Sequence, residues 1–315
     1  MQKVLVSEIG SEMTVVNAFS DLDTENPRLL GQGVSPTTLL DGDVEIGIRL
    51  AVTDLEKDIG PVGSLGKIPF YATSSASTWR NVQEGNGQNT LNALEIQDSL
   101  QIVTGRILPT PRAIMKAVQL IYEEVGDVLV LDVGSESTDV YSVTLMSEPL
   151  AQRTVGEDLG IFINALALVK LIGENKIKEH HGQDWEKLLK SRPETPEEIA
   201  LSAELTAAAV TIVLQRHSGR SYNDNEAGGK VTSVAGRDLT KIRWIVGTGV
   251  ALTQLPNGLE IMRGSIQGMK DDLFPQGSIA MLLDKDCIMA SLGVLTTPFR
   301  QGAWQLLRES LGVEN

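Results

Sequence analysis

Apolar residues open the chain in two short runs, KVLVSE from Lys3 and TVVNAF from Thr14, with Gly10 and Ser11 between them. Short apolar runs broken by a glycine turn predict the two strands of a hairpin. Polar residues from Ser20 to Pro27 make a turn, and RLLGQGV predicts a third strand. From Asp43 the spacing changes. Val44, Ile48, Ala51 or Val52, Leu55 and Ile59 fall on one helical face, with Gly60 as C-cap. KIPFYAT, from Lys67 to Thr73, predicts a strand, and SSASTWRNVQEGNGQN, from Ser74 to Asn89, an exposed irregular loop. TPRAIMKAVQLIYEEVG then reads as a helix: Thr110 as N-cap, Pro111 in the first turn, and Ile114, Ala117, Ile121 and Val125 on one face before Gly126. A second hairpin follows at once, VLVLDVGSESTDVYSV, from Val128 to Val143. TPEEIA opens a further helix, with Thr195 and Glu198 at capping-box spacing and Pro196 in the first turn. The run from Ile199 to Leu214 is apolar on most sides and predicts a largely buried helix. Gly219 to Gly236 reads as a glycine-rich, mobile hairpin, and a last helix spans Pro298 to Leu311. Alternating strands and helices make the class α/β.

The two hairpins share a pattern, V-L-V-x-[ED]-[IV]-G-S-E, in VLVSEIGSEMTVV and VLVLDVGSESTDV. This points to a duplicated unit, one hairpin for each half of a cleft. A tight glycine hairpin can aim several backbone N–H groups at one anion, and neighbouring hydroxyls add donors. Gly134, Ser135, Ser137, Thr138 and Asp139 gather at the second hairpin. The acids ending the first strands, Glu8 and Asp132, can hold magnesium through its water shell. WIVGTGVALTQLP, from Trp244, runs an apolar strand into Gly247-Thr248-Gly249, where small residues let a flat ring or a phosphate approach the backbone.

Charge narrows the partners. Among 315 residues, 27 lysines and arginines face 41 aspartates and glutamates, a formal charge of −14. A field of that sign repels nucleic acid and anionic membrane surfaces, so neither is expected as a partner. The single cysteine, Cys287, excludes an intrachain disulfide and reads as a buried small residue. MQKVLVSEIG has too short an apolar run for a signal peptide, and no stretch is apolar enough to span a bilayer, so the expected location is the cytoplasm. His180 and His181 are adjacent on a polar helical stretch, cannot share one face, and read as a solvated pair rather than a metal site. His217 reads as the C-terminal cap of the alanine-rich helix.

The order of hairpin, capped helix, second hairpin and late GTG loop resembles the actin/Hsp70/sugar-kinase superfamily of two-lobed, ribonuclease H-like ATPases. Within it the chain is similar to the glutamate mutase accessory family, MutL or GlmL. NPRLLGQGVSPTTLLDGDVEIG, LPTPRAIMKAVQLIYEEVGDVLVLDVGSESTDVYSV, RTVGEDLG, GRDLTKIRWIVGTGVALT and DCIMASLGVL carry that resemblance over most of the chain. It implies a chaperone-like ATPase that reactivates an adenosylcobalamin-dependent mutase or aminomutase, with ATP and magnesium as cofactors. It also implies roles: Asp132 and Glu8 as magnesium-side acids, and Gly10, Ser11, Gly134, Ser135 and Thr138 around phosphates. Asp139 would orient the second loop, and Gly247, Thr248 and Gly249 would flank adenosine. Lobe one would comprise residues 1–125 with the C-terminal helix 298–315, and lobe two residues 126–297.

Several positions depart from the family pattern. Most of the segment that usually follows an SSAAGG-like stretch is missing after Ser77. Glu8 stands where Asp is usual, Glu12 where a second hydroxyl is usual, Ser135 for the second glycine of D-x-G-G, and Val250 for the last glycine of GTGG. Two unit charges about 4 Å apart cost roughly 4 kcal/mol at an effective dielectric near 20, so Glu12 beside a triphosphate would weaken binding unless turned away. Two rival readings stay open. One is a non-catalytic scaffold that keeps the fold to hold a mutase subunit, and the other is a small-molecule kinase of the same superfamily.

Overall fold

The structure, a computed structural model, describes residues 2–38, 43–75, 100–226, 229–269, 273–275 and 277–313, with backbone alone along 220–226 and 229–235. The chain divides into two compact units: Met1–Leu120 with Ile288–Asn315, and Ile121–Cys287. The expectation from sequence places these divisions at 125/126 and 297/298. The irregular loop predicted from Ser74 lies, from residue 76 onward, outside the described residues, as does most of the region after Ser77.

In the first unit, β1 (Lys3–Ile9), β2 (Met13–Ser20) and β3 (Arg28–Pro36) form an antiparallel meander, as the apolar runs predict. β4 (Phe70–Ser74) and β5 (Ile107–Pro109) add parallel strands beyond β1, giving the order β3-β2-β1-β4-β5. Helix α1 (Val44–Ile59) packs Ile48, Ala51, Val52 and Leu55 into this sheet's core. Asp43 caps its start by accepting from Glu45 N–H at 2.8 Å, and Gly60 ends it at φ +72. Helix α2 (Thr110–Val125) starts at Thr110 itself, so that threonine is the first helical residue rather than the cap.

The second unit repeats the plan. β6 (Val128–Val133), β7 (Thr138–Val143) and β8 (Ala151–Gly156) form the meander, and β11 (Trp244–Thr248) and β12 (Ala280–Leu283) add parallel strands beyond β6. The order β8-β7-β6-β11-β12 matches that of the first sheet, strand for strand. Between them run α3 (Ala165–Ile172), α4 (Glu174–His181) and α5 (Pro196–His217), and β9 (Arg220–Glu226) with β10 (Gly229–Ala235) forms a separate hairpin. Helices α6 (Val250–Thr253) and α7 (Gly258–Gln267) follow β11. Helix α5 starts on the predicted capping box, Glu198 N–H donating to Thr195 Oγ1 at 3.3 Å. It buries Leu201, Leu205, Ala209, Val210, Val213 and Leu214 along one side, while the opposite side is only partly covered. Each such leucine or valine contributes about 1.5–3 kcal/mol on burial.

Helices α8 (Met289–Leu295) and α9 (Arg300–Leu311) return to the first unit, where α8 lies on β1 and β4. Two expectations need correction. Cys287 is only half-buried, and it turns the chain into α8 at φ +51 instead of filling a core gap. His217 does not cap α5 from outside. Its ring is fully buried, with Nδ1 2.9 Å from Thr154 Oγ1 and Nε2 2.9 Å from Ser142 Oγ. Burial, aided by the charge of Arg237, holds its pKa down at about 3, so the ring is neutral.

Candidate functional site

In the second unit the chain leaves β6 and turns through residues 134–137 into β7. Gly134 N–H donates to Ser137 O at 2.9 Å and closes the turn. The segment after β8 folds back on it. Ile161 N–H donates to Gly134 O at 3.2 Å, Phe162 and Ile163 N–H donate to Ser135 O at 3.1 and 2.9 Å, and Asn164 Nδ2 donates to Glu136 O at 2.7 Å. Three successive carbonyls of the turn are therefore satisfied by one segment. A Cβ at Gly160 would stand 2.6 Å from Ser135 O, so only glycine allows this approach. That is the physical content of the second glycine in RTVGEDLG.

β11 runs parallel to β6 with Thr248 opposite Asp132. Gly249 follows at φ +86 and ψ 152, and a Cβ there would lie 2.5 Å from both Asp132 Oδ1 and Val133 O. The GTG turn is thus seated directly on the acid that ends β6. Both lie at the carboxyl ends of parallel strands, where open α/β sheets bind ligands. The other predicted contacts are spread differently. Gly247 packs inward, its Cβ position 3.0 Å from Leu252 Cδ1 and Met262 Sδ. Thr248 Oγ1 donates to buried Asp284 Oδ2 at 2.8 Å, and Thr138 Oγ1 donates to Leu159 O at 2.7 Å. Both hydroxyls, buried in the unit, brace the loops.

Cross-strand register places Asp132, Asp139, Tyr141 and Arg153 on one face of β6, β7 and β8. Leu129, Leu131, Val133 and Val140 point the other way, into the core with α5. Arg153 Nη2 pairs with buried Asp139 Oδ2 at 2.6 Å, and its guanidinium lies 5.5 Å from the Tyr141 ring centroid. Burial and then the charges of Asp132 and Asp139 push the Tyr141 hydroxyl well above its usual pKa. Burial works against the charge of Arg153, but Tyr141, Asp139 and Asp132 outweigh it and raise its pKa. Asp139 therefore anchors Arg153 beneath the hairpin. Sequence reading missed Arg153 and Tyr141, because only strand register brings them beside the two acids.

In the first unit Gly10 N–H donates to Met13 O at 3.0 Å, and Thr37, just past β3, donates through N–H to Glu12 O at 2.7 Å and through Oγ1 to Gly10 O at 3.0 Å. Here too the segment after the third strand secures the hairpin, whose Ser11 is half-buried. Glu8 is engaged differently from Asp132. Its Oε1 accepts from Ser291 N–H at 2.9 Å, Ser291 Oγ at 2.6 Å and Asn17 Nδ2 at 3.3 Å. The acid of the first hairpin anchors the first turn of α8.

A mostly apolar pocket of the second unit lies between the hairpin and α6, the short helix that follows the GTG turn. Ser135, Ile161 and Phe162 line one part, and Ser202, Val250 and Gln254 another; it measures about 350 Å³ counting its open mouth.

A sheet of three antiparallel and two parallel strands, built twice, with a glycine hairpin after the first strand each time, defines an actin-like ATPase fold. Solved structures agree. Component A of (R)-2-hydroxyglutaryl-CoA dehydratase from Acidaminococcus fermentans is similar with a TM-score of 0.51 and 12% identity, covering 96% of this chain and 100% of that one. A ROK family glucokinase from Streptomyces griseus, solved with glucose and AMPPNP, gives 0.51 and 12% over 95% of this chain and 99% of that one. Within this class the chain belongs to the MutL protein family, which matches residues 4–78 and 80–311; this is the glutamate mutase accessory family of the sequence resemblance. It is 29% identical over 251 residues to Protein MutL of Clostridium tetanomorphum, covering 70% of this chain and 54% of that protein. The chain spans about half the length of that curated relative.

Proposed function

We propose that this chain binds magnesium-ATP and acts as the nucleotide-dependent accessory protein of an adenosylcobalamin-dependent mutase or aminomutase, returning that enzyme to its active form. The observation that carries the nucleotide reading is the seating of Gly249 on Asp132, which joins a glycine hairpin, an acid and a GTG turn at the ends of two parallel strands. Membership of the accessory family supports the mutase partner.

In this reading the hairpin carbonyls are occupied by residues 161–164, so its amides at Ser135–Ser137 serve as phosphate donors. The pocket lined by Phe162, Val250 and Gln254 takes the base, and Gly249 lets the ligand approach the backbone. Gly10 and Ser11 form the equivalent hairpin turn of the first unit. An oxygen donor suits magnesium, and half-buried Asp132, on which Gly249 is seated, is the acid for that task in the second unit. Bound magnesium would offset phosphate charge, and hydrolysis in such a site rests on positioning and electrostatics. Arg153 and Asp139 keep the hairpin's base rigid, and Asp132 orients water toward the phosphates.

The scaffold reading also has an observation in its favour, since the hydroxyls of Thr138 and Thr248 are spent inside the unit. Calorimetric titration with ATP and ADP, with and without magnesium, separates the two. Saturable, magnesium-dependent binding is expected, and Asp132→Asn should slow phosphate release more than it weakens binding while leaving the urea midpoint unchanged. Absence of heat at millimolar nucleotide, with the mutase still co-purifying, would establish the scaffold instead.

A further inference from the structure

We propose that His180, His181 and Glu204 form a binding site for a divalent transition-metal cation of the zinc class, at the junction of α4 and α5 in the second unit. Neighbouring residues on a helix project about 100° apart, so two adjacent rings that approach one point do so from different directions. Here they use different nitrogens. His180 Nδ1 lies 2.9 Å and His181 Nε2 3.0 Å from the same oxygen, Glu204 Oε2. The three ligand atoms all lie within 4.8 Å of one another. A tetrahedral zinc site with bonds of about 2.0–2.1 Å holds its ligand atoms roughly 3.3 Å apart, so a small outward shift of the rings would admit the ion.

The surroundings suit a cation in three respects. Two histidines and one carboxylate are a ligand set zinc uses when a coordination position stays open. The histidines are the last two residues of α4, where the carbonyl end of the helix favours positive charge. The site is sheltered on one side only, with side-chain exposures of 10% for His181, 21% for Glu204 and 46% for His180, which leaves the open position to water. Lys176 is the opposing group. Its Nζ lies 3.3 Å from Glu204 Oε1, an oxygen that His180 Nδ1 also approaches at 3.1 Å, so it places a repelling charge beside the ligand atoms. A bound ion would tie the α3–α4 pair, which carries exposed Leu166 and Leu171, to α5.

The test uses the tag-free chain and the metal alone: calorimetry with Zn²⁺, and Co²⁺ as a spectroscopic probe of ligand geometry. One equivalent of Zn²⁺ is expected, with a Co²⁺ visible spectrum of reduced coordination number. His181→Ala and Glu204→Gln should each weaken Zn²⁺ binding at least tenfold, and Lys176→Gln should tighten it by removing the repelling charge. Should His181→Ala fail to fold, exposed His180→Ala replaces it. Lack of saturable Zn²⁺ binding, or affinity unchanged in both ligand variants, would overturn the proposal. Weaker or equal binding by Lys176→Gln would place the ion elsewhere and overturn it too.

Discussion

Gly249→Ala tests the contact on which the nucleotide reading depends. The residue sits at φ +86 and ψ 152, a region open in practice only to glycine, and occupying it with alanine costs about 1–3 kcal/mol. The new methyl would also stand 2.5 Å from Asp132 Oδ1 and from Val133 O, both part of β6 or its end, and overpacking of that kind costs about 1–3 kcal/mol more. The sum, about 2–6 kcal/mol, is a large share of the 5–15 kcal/mol typical of a domain. Gly126→Ala is the control in the same unit. It has a similar φ of +83 but nothing within 4 Å of the added carbon, so it measures the backbone cost alone, about 1–2 kcal/mol. Urea unfolding, followed by hydrogen exchange at the amides of β6 and β11, reads the second unit directly. The Gly249 variant should lose clearly more stability than the control, with the excess localised to those two strands. Equal losses in the two variants would refute the seating of the turn on Asp132.

Acid should weaken the second unit through His217. Its folded pKa of about 3 lies below the ordinary 6.5, so between those values the unfolded chain binds a proton that the folded chain refuses. Stability is then full above pH 6.5 and falls by about 1.4 kcal/mol per pH unit below it; urea midpoints across that range should show the slope, and His217→Gln should flatten it. Arg153→Met leaves the Asp139 carboxylate buried and unpaired, which should cost about 3–5 kcal/mol, whereas the double change Arg153→Met, Asp139→Leu should recover much of it in denaturation curves. Glu8→Gln keeps the acceptor but removes its charge, so it should destabilise the first unit by about 1 kcal/mol, the difference between hydrogen bonds to a charged and to a neutral group. Exchange protection of α8 amides is the readout, and full protection in the variant would count against Glu8 as its anchor.

Much of the framework could be read from the sequence because its signals are local. The hairpins β1–β2 and β6–β7 are apolar runs around a glycine turn, and α1 and α5 announce themselves through Asp43, Gly60 and the Thr195–Glu198 box. β8 escaped because AQRTVG has no apolar run, being partly exposed along most of its length. β5 is only three residues, and α8 is buried on every side, so it shows no helical stripe. At the site, Asp132 and the GTG turn were visible as motifs. Arg153 and Tyr141 were not, since cross-strand register is a property of the folded sheet. Nor could residue types reveal that Thr138 and Thr248 turn their hydroxyls inward. The pair His180 and His181 misled for a geometric reason: their directions diverge on the helix, but distinct ring nitrogens still converge on Glu204.

The return of α8 and α9 to the first unit bears on how the chain is made. Glu8 and Ser291 are 283 positions apart, yet together they fasten α8 to the sheet that begins with β1. On the ribosome, β1 to β5 emerge long before the helices that cover them, whereas the second unit emerges as one contiguous stretch. Domains fold as units during synthesis, so the later-emerging unit completes itself first and the earlier one waits. Until residues 288–313 appear, the nascent chain carries an uncovered apolar sheet face, and that interval is when it most needs protection from aggregation.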